Sequence, residues 1–192
     1  MKKFLYFIAA ALITLPMFAS AHGPSRVKAI EKITINAAPA KVWAMVKDFT
    51  AIDKWHPAIK SVKMGKDDEG RPERVLTLKS EGNPTITEIL EKVDNKKMML
   101  IYKIHDMSVV KTIKFNGQDT KYFTLPVANY KSWIIVKPTK DGGSEVTWKG
   151  KFYRSYMLNP PVPEGQTDKD AVKTVEGVYL AGLQNLKTIM EK

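Results

Sequence analysis

A strand, a proline turn and a short amphipathic helix near the start of the chain restrict its fold more than any other feature. The segment 27–35 is rich in β-branched residues, which predicts a strand. Pro39 suits the first turn of a helix, because its φ is fixed and its missing N–H is not needed there. The apolar residues that follow fall at positions i, i+3, i+4 and i+7: Val42, Met45, Val46 and Phe49. This spacing predicts a short helix that packs on a sheet, then a second short segment closed by Trp55-His56-Pro57.

A second amphipathic helix is predicted at the C-terminal end of the sequence. Thr167 followed by Asp170 approximates a capping box. The apolar residues beyond it recur at spacings of three and four: Val172, Val175, Tyr179, Leu183, Leu186 and Met190. A helix of about 24 residues with one apolar face needs a concave sheet to bury it. Gly177 and Gly182 each cost about 1 kcal/mol relative to Ala, so we expect close helix–sheet packing, with space for a ligand as the alternative.

Short strand-like runs separated by turn residues fill the middle of the chain. They cover residues 74–79, 85–93, 98–104, 132–136 and 145–153. Between residues 107 and 125, two β-rich runs flank Asn116-Gly117, which predicts a hairpin because this pair readily adopts positive φ. The hairpin is either a protruding element that binds a partner or covers a pocket, or a longer pair of ordinary sheet strands.

This order of elements resembles the START-like superfamily, also called SRPBCC or helix-grip proteins. The resemblance implies an α+β fold: a curved antiparallel β-sheet wrapped around a long C-terminal α-helix, with two short helices after the first strand. Within the superfamily, the chain is similar to the MxaD family of periplasmic accessory proteins of methanol dehydrogenase systems. Four segments carry this narrower resemblance: His22-Gly23-Pro24, Val42-Trp43, Trp55-His56-Pro57 and Leu125 to Tyr130.

The first 21 residues are typical of a signal peptide for export to the periplasm. Lys2 and Lys3 precede an apolar run at 4–18, and Ala19-Ser20-Ala21 provides the small residues of a cleavage site. The run is shorter than the roughly 20 residues that span a bilayer. We expect cleavage after Ala21, with a retained signal anchor as the alternative. Residues 22–192 then form a single domain that does not span the membrane.

Composition narrows the functional classes. The chain has no cysteine, which excludes disulfides, thiol catalysis, thiolate metal sites and a lipid anchor on cysteine. The 31 basic residues less Lys2 and Lys3 leave 29 against 20 acidic ones, a net charge of +9 after cleavage. The lysines are dispersed, and an exported protein is not expected to bind nucleic acid. The charge favours a solvated surface, an acidic protein partner or an anionic lipid.

No catalytic motif is present. The sequence lacks a Gly-x-Ser-x-Gly elbow, a His-Glu-x-x-His pair, a phosphate-binding loop and a dinucleotide fingerprint. His56 and His105 are single candidates without an evident partner, since adjacent His105 and Asp106 point to opposite faces of a strand. We therefore predict a protein that is not an enzyme and needs no cofactor.

Two candidate sites follow from the residues. The first is a ligand cavity under the C-terminal helix, with these predicted lining residues: Trp55, His56, Tyr102, Trp133, Tyr153, Tyr179 and Leu183. The second is a copper site. Cleavage after Ala21 would give His22 a free amine beside its imidazole, and His56 or His105 could complete the ligand set.

The resemblance to the MxaD family implies a non-enzymatic accessory role in methanol oxidation. Its expected partners are acidic periplasmic proteins: methanol dehydrogenase and its c-type cytochrome acceptor, whose interaction or assembly the chain would assist. The alternative is a periplasmic carrier of a small hydrophobic ligand, since the helix-grip fold commonly encloses a cavity. A cyclase or hydrolase would use the same cavity but lacks a convincing acid–base pair.

Overall fold

A seven-stranded antiparallel sheet curves around one long helix in the computed structural model, which describes residues 23–192. The predicted signal peptide and His22 lie outside these residues. The described elements follow in chain order: β1 (Val27–Ile35), α1 (Pro39–Val46), α2 (Ile52–Trp55), β2 (Ile59–Lys66), β3 (Pro72–Leu78), β4 (Thr85–Asp94), β5 (Met99–Met107), β6 (Val109–Phe115), β7 (Gln118–Phe123), β8 (Val127–Pro138), β9 (Ser144–Arg154) and α3 (Asp168–Met190). The sheet order is β1-β9-β8-β5-β4-β3-β2. The predicted helix-grip architecture is confirmed.

Helix α3 packs on the inner face of the sheet, chiefly against β1 and β9. Thr167 and Asp170 form the predicted capping box, in which each side chain accepts a hydrogen bond from the other residue's backbone N–H. The buried side of α3 is built from these residues: Ala171, Val175, Tyr179, Gly182, Leu183, Leu186 and Met190. The predicted apolar stripe is therefore buried from Val175 onward, whereas Val172 is only partly buried.

The two glycines of α3 have different surroundings. A Cβ at Gly182 would lie 2.5 Å from Cδ2 of His56 and 2.9 Å from Cζ3 of Trp148, so only glycine allows this close approach. Gly177 is exposed, and nothing lies within 4 Å of a Cβ built there. The expected close helix–sheet packing is thus confirmed at Gly182 and absent at Gly177.

Helices α1 and α2 close one side of the core, as the sequence predicts. Trp43, Phe49 and Trp55 are all buried. Trp43 Nε1 donates to Asn95 Oδ1 in the turn between β4 and β5, at 3.1 Å. Asn185 Nδ2 of α3 donates to the carbonyl oxygen of Trp55 at 2.9 Å, which joins α2 to the long helix.

Strands β6 and β7 form a separate two-stranded sheet, so the segment is a protruding hairpin rather than part of the main sheet. Asn116 and Gly117 at its tip both have positive φ, as the sequence predicts. Two hydrogen bonds hold the hairpin to the segment before α3: Tyr122 Oη donates to the carbonyl oxygen of Glu164, and Gln166 Nε2 donates to that of Lys121.

Strand β2 is an edge strand that the sequence did not predict. Only Ile59 among its residues is buried, and its lysines leave no apolar alternation for a pattern to detect. Of the helices between residues 23 and 192, none is both long and apolar enough to cross a membrane.

Candidate functional site

Five polar side chains meet on the inner face of β5, β8 and β9 under α3. Trp148 Nε1 lies 3.1 Å from Tyr102 Oη and 3.0 Å from Ser132 Oγ and donates to both. Ser132 Oγ donates to the carbonyl oxygen of Lys149 at 3.0 Å. The hydroxyls of Tyr130 and Tyr179 share a hydrogen bond, and Tyr179 Oη also lies 3.4 Å from Ser132 Oγ. We call these five residues the tyrosine network.

The hydroxyl groups of the tyrosine network are uncharged. Burial raises the pKa values of Tyr102, Tyr130 and Tyr179 well above the ordinary value for tyrosine, because the phenolate would lose its hydration. The three hydroxyls therefore remain protonated at physiological pH. Gly150 makes room for this arrangement, since a side chain there would collide with Tyr179 Oη and the Tyr130 ring.

A buried ion pair joins β3 to β4 on the same inner face. Arg74 Nε donates to Glu88 Oε2 at 2.7 Å, and Arg74 Nη1 donates to the carbonyl oxygen of Phe49 at 2.8 Å. The guanidinium also lies over the Phe49 ring, 3.9 Å from its centroid. Burial raises the pKa of the Glu88 carboxyl, although the Arg74 charge opposes this shift. Arg74 thus joins Glu88 of β4 to the Phe49 carbonyl oxygen on the inner face.

His56 is held in one neutral tautomer. Its Nδ1 accepts from the Ala58 backbone N–H at 3.3 Å, so Nε2 carries the proton and donates to the Val178 carbonyl oxygen at 3.0 Å. Burial lowers the pKa of the imidazole, with a smaller contribution from the Arg74 charge. Both ring nitrogens are used by the fold, which leaves neither for proton transfer or for a metal.

A cavity of about 60 Å³ remains between α2, the middle of α3 at Val178 and the inner sheet face. Apolar side chains form most of its wall: Ile52, Ile59, Leu76, Leu78, Ile86, Ile104 and Leu125. Residues that carry polar groups also line it: His56, Glu88, Tyr102, Tyr130 and Trp148. Pockets for drug-sized ligands measure about 300–1,000 Å³, so this cavity is too small for a ligand of that size.

A second depression lies beside the cavity, at the base of the hairpin. It measures about 190 Å³ and is bounded by Met107, Phe123, Asn129 and Ser155. Ile104 and Tyr130 line both spaces and stand between them. A ligand could pass from the surface depression to the inner cavity only if these side chains moved.

The structure brings together some of the predicted cavity residues. His56 and Tyr102 line the cavity, and Trp55, Tyr179 and Leu183 are buried in the core around it. Trp133 and Tyr153 do not belong there. They alternate with the inward-facing Ser132, Ile134, Phe152 and Arg154, and so they lie on the outer face of the sheet. Their assignment to the cavity is corrected on this geometry.

The predicted copper ligands do not converge within the described residues. His56 is buried with both nitrogens bonded, whereas His105 is exposed and lines a groove beside Lys103. Between residues 23 and 192, no group of three or more His, Asp or Glu side chains could hold a metal ion. His56 is therefore wrong as a copper ligand, and His22 lies outside the described residues.

The sequence interpretation missed Arg74, Glu88 and Tyr130. Arg74 is two residues from Leu76 and Glu88 is two residues from Ile86, so each charged residue shares a sheet face with an apolar neighbour. A charged residue at an inward position needs a partner. The two-residue spacing between each charged residue and an inward-facing apolar residue was therefore the sequence signal for the buried ion pair.

Comparisons with known proteins agree with this architecture. The model of the family described as polyketide cyclase/dehydrase and lipid transport matches residues 26–191. No curated protein sequence matches the chain significantly. An uncharacterised protein from Bacillus thuringiensis is similar in structure, with a TM-score of 0.65, 26% identity, and coverage of 86% of this chain and 100% of that one.

Two further solved structures are similar. The protein XoxI from Bacillus cereus has a TM-score of 0.63 and 26% identity, and the match covers 85% of this chain and 95% of that one. The Zhui aromatase/cyclase from a Streptomyces species has a TM-score of 0.58 and 14% identity, over 87% of this chain and 94% of the enzyme, which supports the fold alone. With its fold, its inner cavity and a family match over nearly its whole described length, the chain belongs to the polyketide cyclase/dehydrase and lipid transport family.

Proposed function

We propose that this chain is a non-enzymatic periplasmic accessory protein of methanol oxidation that works through its surface. It would aid the interaction of methanol dehydrogenase with its c-type cytochrome acceptor, or the assembly of that system. The observation that carries the surface mode of action is the small size of the cavity under α3, which measures about 60 Å³. This space is far below the 300–1,000 Å³ of typical ligand sites.

Three features of the inner face support a non-catalytic role. Both nitrogens of His56 are hydrogen-bonded to backbone, and the Glu88 carboxylate is tied to Arg74. Burial keeps the tyrosine hydroxyls protonated. Other members of this fold include an aromatase/cyclase, but here the candidate acid and base groups already serve as structural partners.

The choice of partner rests on charge and on resemblance. A net charge of +9 after cleavage attracts acidic surfaces and speeds their encounter. The connection with methanol dehydrogenase comes from the similarity to the MxaD family. Two of the segments that carry it, Trp55-His56-Pro57 and Leu125 to Tyr130, contribute to the wall of the cavity.

Electron transfer from methanol dehydrogenase to its cytochrome tests the proposal. Stopped-flow rates should rise when the mature protein is added at low salt, and the gain should fade as ionic strength passes about 0.15 M, where charges more than about 8 Å apart are screened. Lysozyme, an unrelated basic protein, controls for unspecific charge effects. An unchanged rate at low salt, with no binding to either redox protein, would refute the accessory role.

A ligand carrier is the second candidate, and the depression beside the cavity favours it. Ile104 and Tyr130 separate a surface space of about 190 Å³ from the inner cavity, so their movement would join the two. Native mass spectrometry of the purified protein distinguishes the candidates. A bound apolar molecule that survives purification would favour the carrier, and a bare protein mass would favour the surface-acting protein.

A further inference from the structure

Four lysines stand in one row across the outer face of the sheet. Lys28 of β1 is paired in register with Lys151 of β9, Lys151 with Lys131 of β8, and Lys131 with Lys103 of β5. Side chains directly opposite on neighbouring strands have Cβ atoms about 4.5–5.5 Å apart. Four positive charges are therefore placed side by side on four adjacent strands.

The row is not arranged for stability. Like charges directly opposite one another on a sheet are destabilising. Lys131 forms an ion pair with Glu91, but Lys28, Lys103 and Lys151 form none with any described residue. Lys149, two residues from Lys151 along β9, adds a fifth charge to the same face and is also without an ion pair among residues 23–192.

An aromatic and aliphatic centre adjoins the row. Trp133 is paired with Lys149 on one side and with Ile101 on the other, and Ile30 is paired with Lys149. The Lys131 and Lys149 amines lie 5.8 and 5.4 Å from the Trp133 ring centroid. Ile30 is 43% exposed. An apolar centre with a charged rim is the usual composition of a protein–protein interface, and tryptophan is enriched among its strongest contacts.

Two grooves lie on this face of the sheet. One of about 220 Å³ lies between Ile30, Trp133 and the lysines at 149 and 151. The next, of about 470 Å³, is lined by Arg26, Lys28 and Lys151. A protruding acidic side chain or loop of a partner could enter either groove and meet two or more cations there.

We propose that the lysine face, defined as Lys28, Lys103, Lys131, Lys149 and Lys151 around Trp133, is the docking surface for a carboxylate-rich protein. This inference rests on the proposed function for the identity of the partner and names the part of the surface that binds it. The charge selects an acidic partner, and the apolar centre at Ile30 and Trp133, with the groove between them, fits a protein surface. A polyanion bound by charge alone would need no such centre.

Two triple variants of equal net charge test the proposal. The face variant carries Lys28→Gln, Lys149→Gln and Lys151→Gln. The control variant carries Lys47→Gln, Lys96→Gln and Lys140→Gln, three exposed lysines outside the face. Thermal unfolding of both variants first establishes that they fold as the wild type does.

Binding of each protein to methanol dehydrogenase and to the c-type cytochrome is then measured by calorimetry at low salt. Exposed charge pairs contribute up to about 1 kcal/mol each, so we expect Kd to rise about tenfold or more for the face variant and less than about twofold for the control. Trp133→Ala should weaken binding without changing the salt dependence. Equal weakening by the two triple variants would overturn the proposal.

A second probe separates failure of the face from failure of the proposed function. Poly-L-glutamate added to the labelled protein should shift the NMR signals of the Trp133 indole N–H and of the residues beside it. Shifts at this face without binding to either redox protein would support the face and refute the methanol-oxidation role. Shifts that map elsewhere, or binding only to vesicles containing phosphatidylglycerol, would overturn the proposed docking surface.

Discussion

The two faces of the same sheet follow opposite rules. On the inner face of β8 and β9, the polar groups of Ser132, Trp148 and Tyr130 all find partners within the protein. On the outer face, one residue away along the same strands, Lys131, Lys149 and Lys151 crowd together around a half-buried tryptophan. The inner face is arranged to stabilise the fold, whereas the outer face places like charges side by side, with Glu91 pairing Lys131 alone among these three lysines in the described residues.

Trp148 on the inner face and Trp133 on the outer face should differ most in their contribution to stability. Trp148 is 2% exposed and stacks on Tyr179 with ring centroids 4.5 Å apart. We expect Trp148→Ala to lower the free energy of unfolding by about 3–5 kcal/mol, and the half-exposed Trp133→Ala by about 1 kcal/mol or less. Urea denaturation measures both. Similar losses for the two variants would contradict the division between the faces.

The ion pairs Arg74–Glu88 on the inner face and Lys131–Glu91 on the outer face provide the next contrast. Arg74→Met should cost about 3 kcal/mol, because it leaves the buried Glu88 carboxyl without its cation. Lys131→Met should cost less than about 1 kcal/mol, because that amine is partly exposed.

The loss of stability in the Arg74→Met variant should depend on pH. Burial raises the pKa of Glu88 in the folded protein, so the protonated form is favoured there, and stability falls as pH rises through the folded-state pKa. Without Arg74 this dependence should steepen. Urea denaturation at pH 5 and at pH 7 tests it: a variant equally stable at both values would contradict the assignment.

The two helix glycines give a smaller contrast with opposite signs. Gly182→Ala should destabilise by about 1–2 kcal/mol, because overpacking against His56 and Trp148 outweighs the better helix propensity of alanine. Gly177→Ala should stabilise by about 0.5–1 kcal/mol, since its surroundings are open. Thermal unfolding of both variants would reveal the difference, and a stabilising Gly182→Ala would mean that the helix can shift outward.

His56 should titrate below the ordinary range for histidine. Its pKa is lowered in the fold, so the unfolded chain binds more protons and stability falls as pH drops below the unfolded value of about 6.5. NMR of the imidazole C–H signals follows this proton directly. A midpoint at or above 6.5 would show that the ring is not held neutral between Ala58 and Val178.

The smallest expected effect is a gain in stability. Lys151→Gln removes one like charge between Lys28 and Lys131 and should stabilise the protein by a few tenths of a kcal/mol. The same change should weaken binding to an acidic partner. Lys96→Gln, in the turn between β4 and β5, is the matched control and should change neither quantity. A destabilised Lys151→Gln would show that the row is not repulsive.

Local patterns predicted much of the fold. The helix start at Pro39, the capping box at Thr167 and the Asn116-Gly117 turn all lie where the sequence places them, although α1 ends at Val46, before the last residue of the predicted stripe, Phe49. Each is set by neighbours within a few residues, so a single sequence contains the information. Strand β2 was missed because an exposed edge strand has no apolar alternation.

The candidate site was harder to predict because it depends on pairing between distant strands. Period-two alternation divides β8 into two sets of residues, and aromatic residues occur in both: Tyr130 in one set and Trp133 in the other. Only the register with β9, which sets Trp133 opposite Lys149, assigns the outer face. The Arg74–Glu88 pair likewise depends on the register between β3 and β4.

Strand β2 has a further consequence for the protein in solution. It ends the sheet order, so one row of its backbone N–H and C=O groups has no strand of residues 23–192 beside it, and such edges favour strand addition from another copy of the chain. Lys60, Lys63 and Lys66 are distributed along this strand. A second copy that aligned there would bring lysine near lysine, and this repulsion would protect a concentrated solution of the protein against edge-to-edge aggregation.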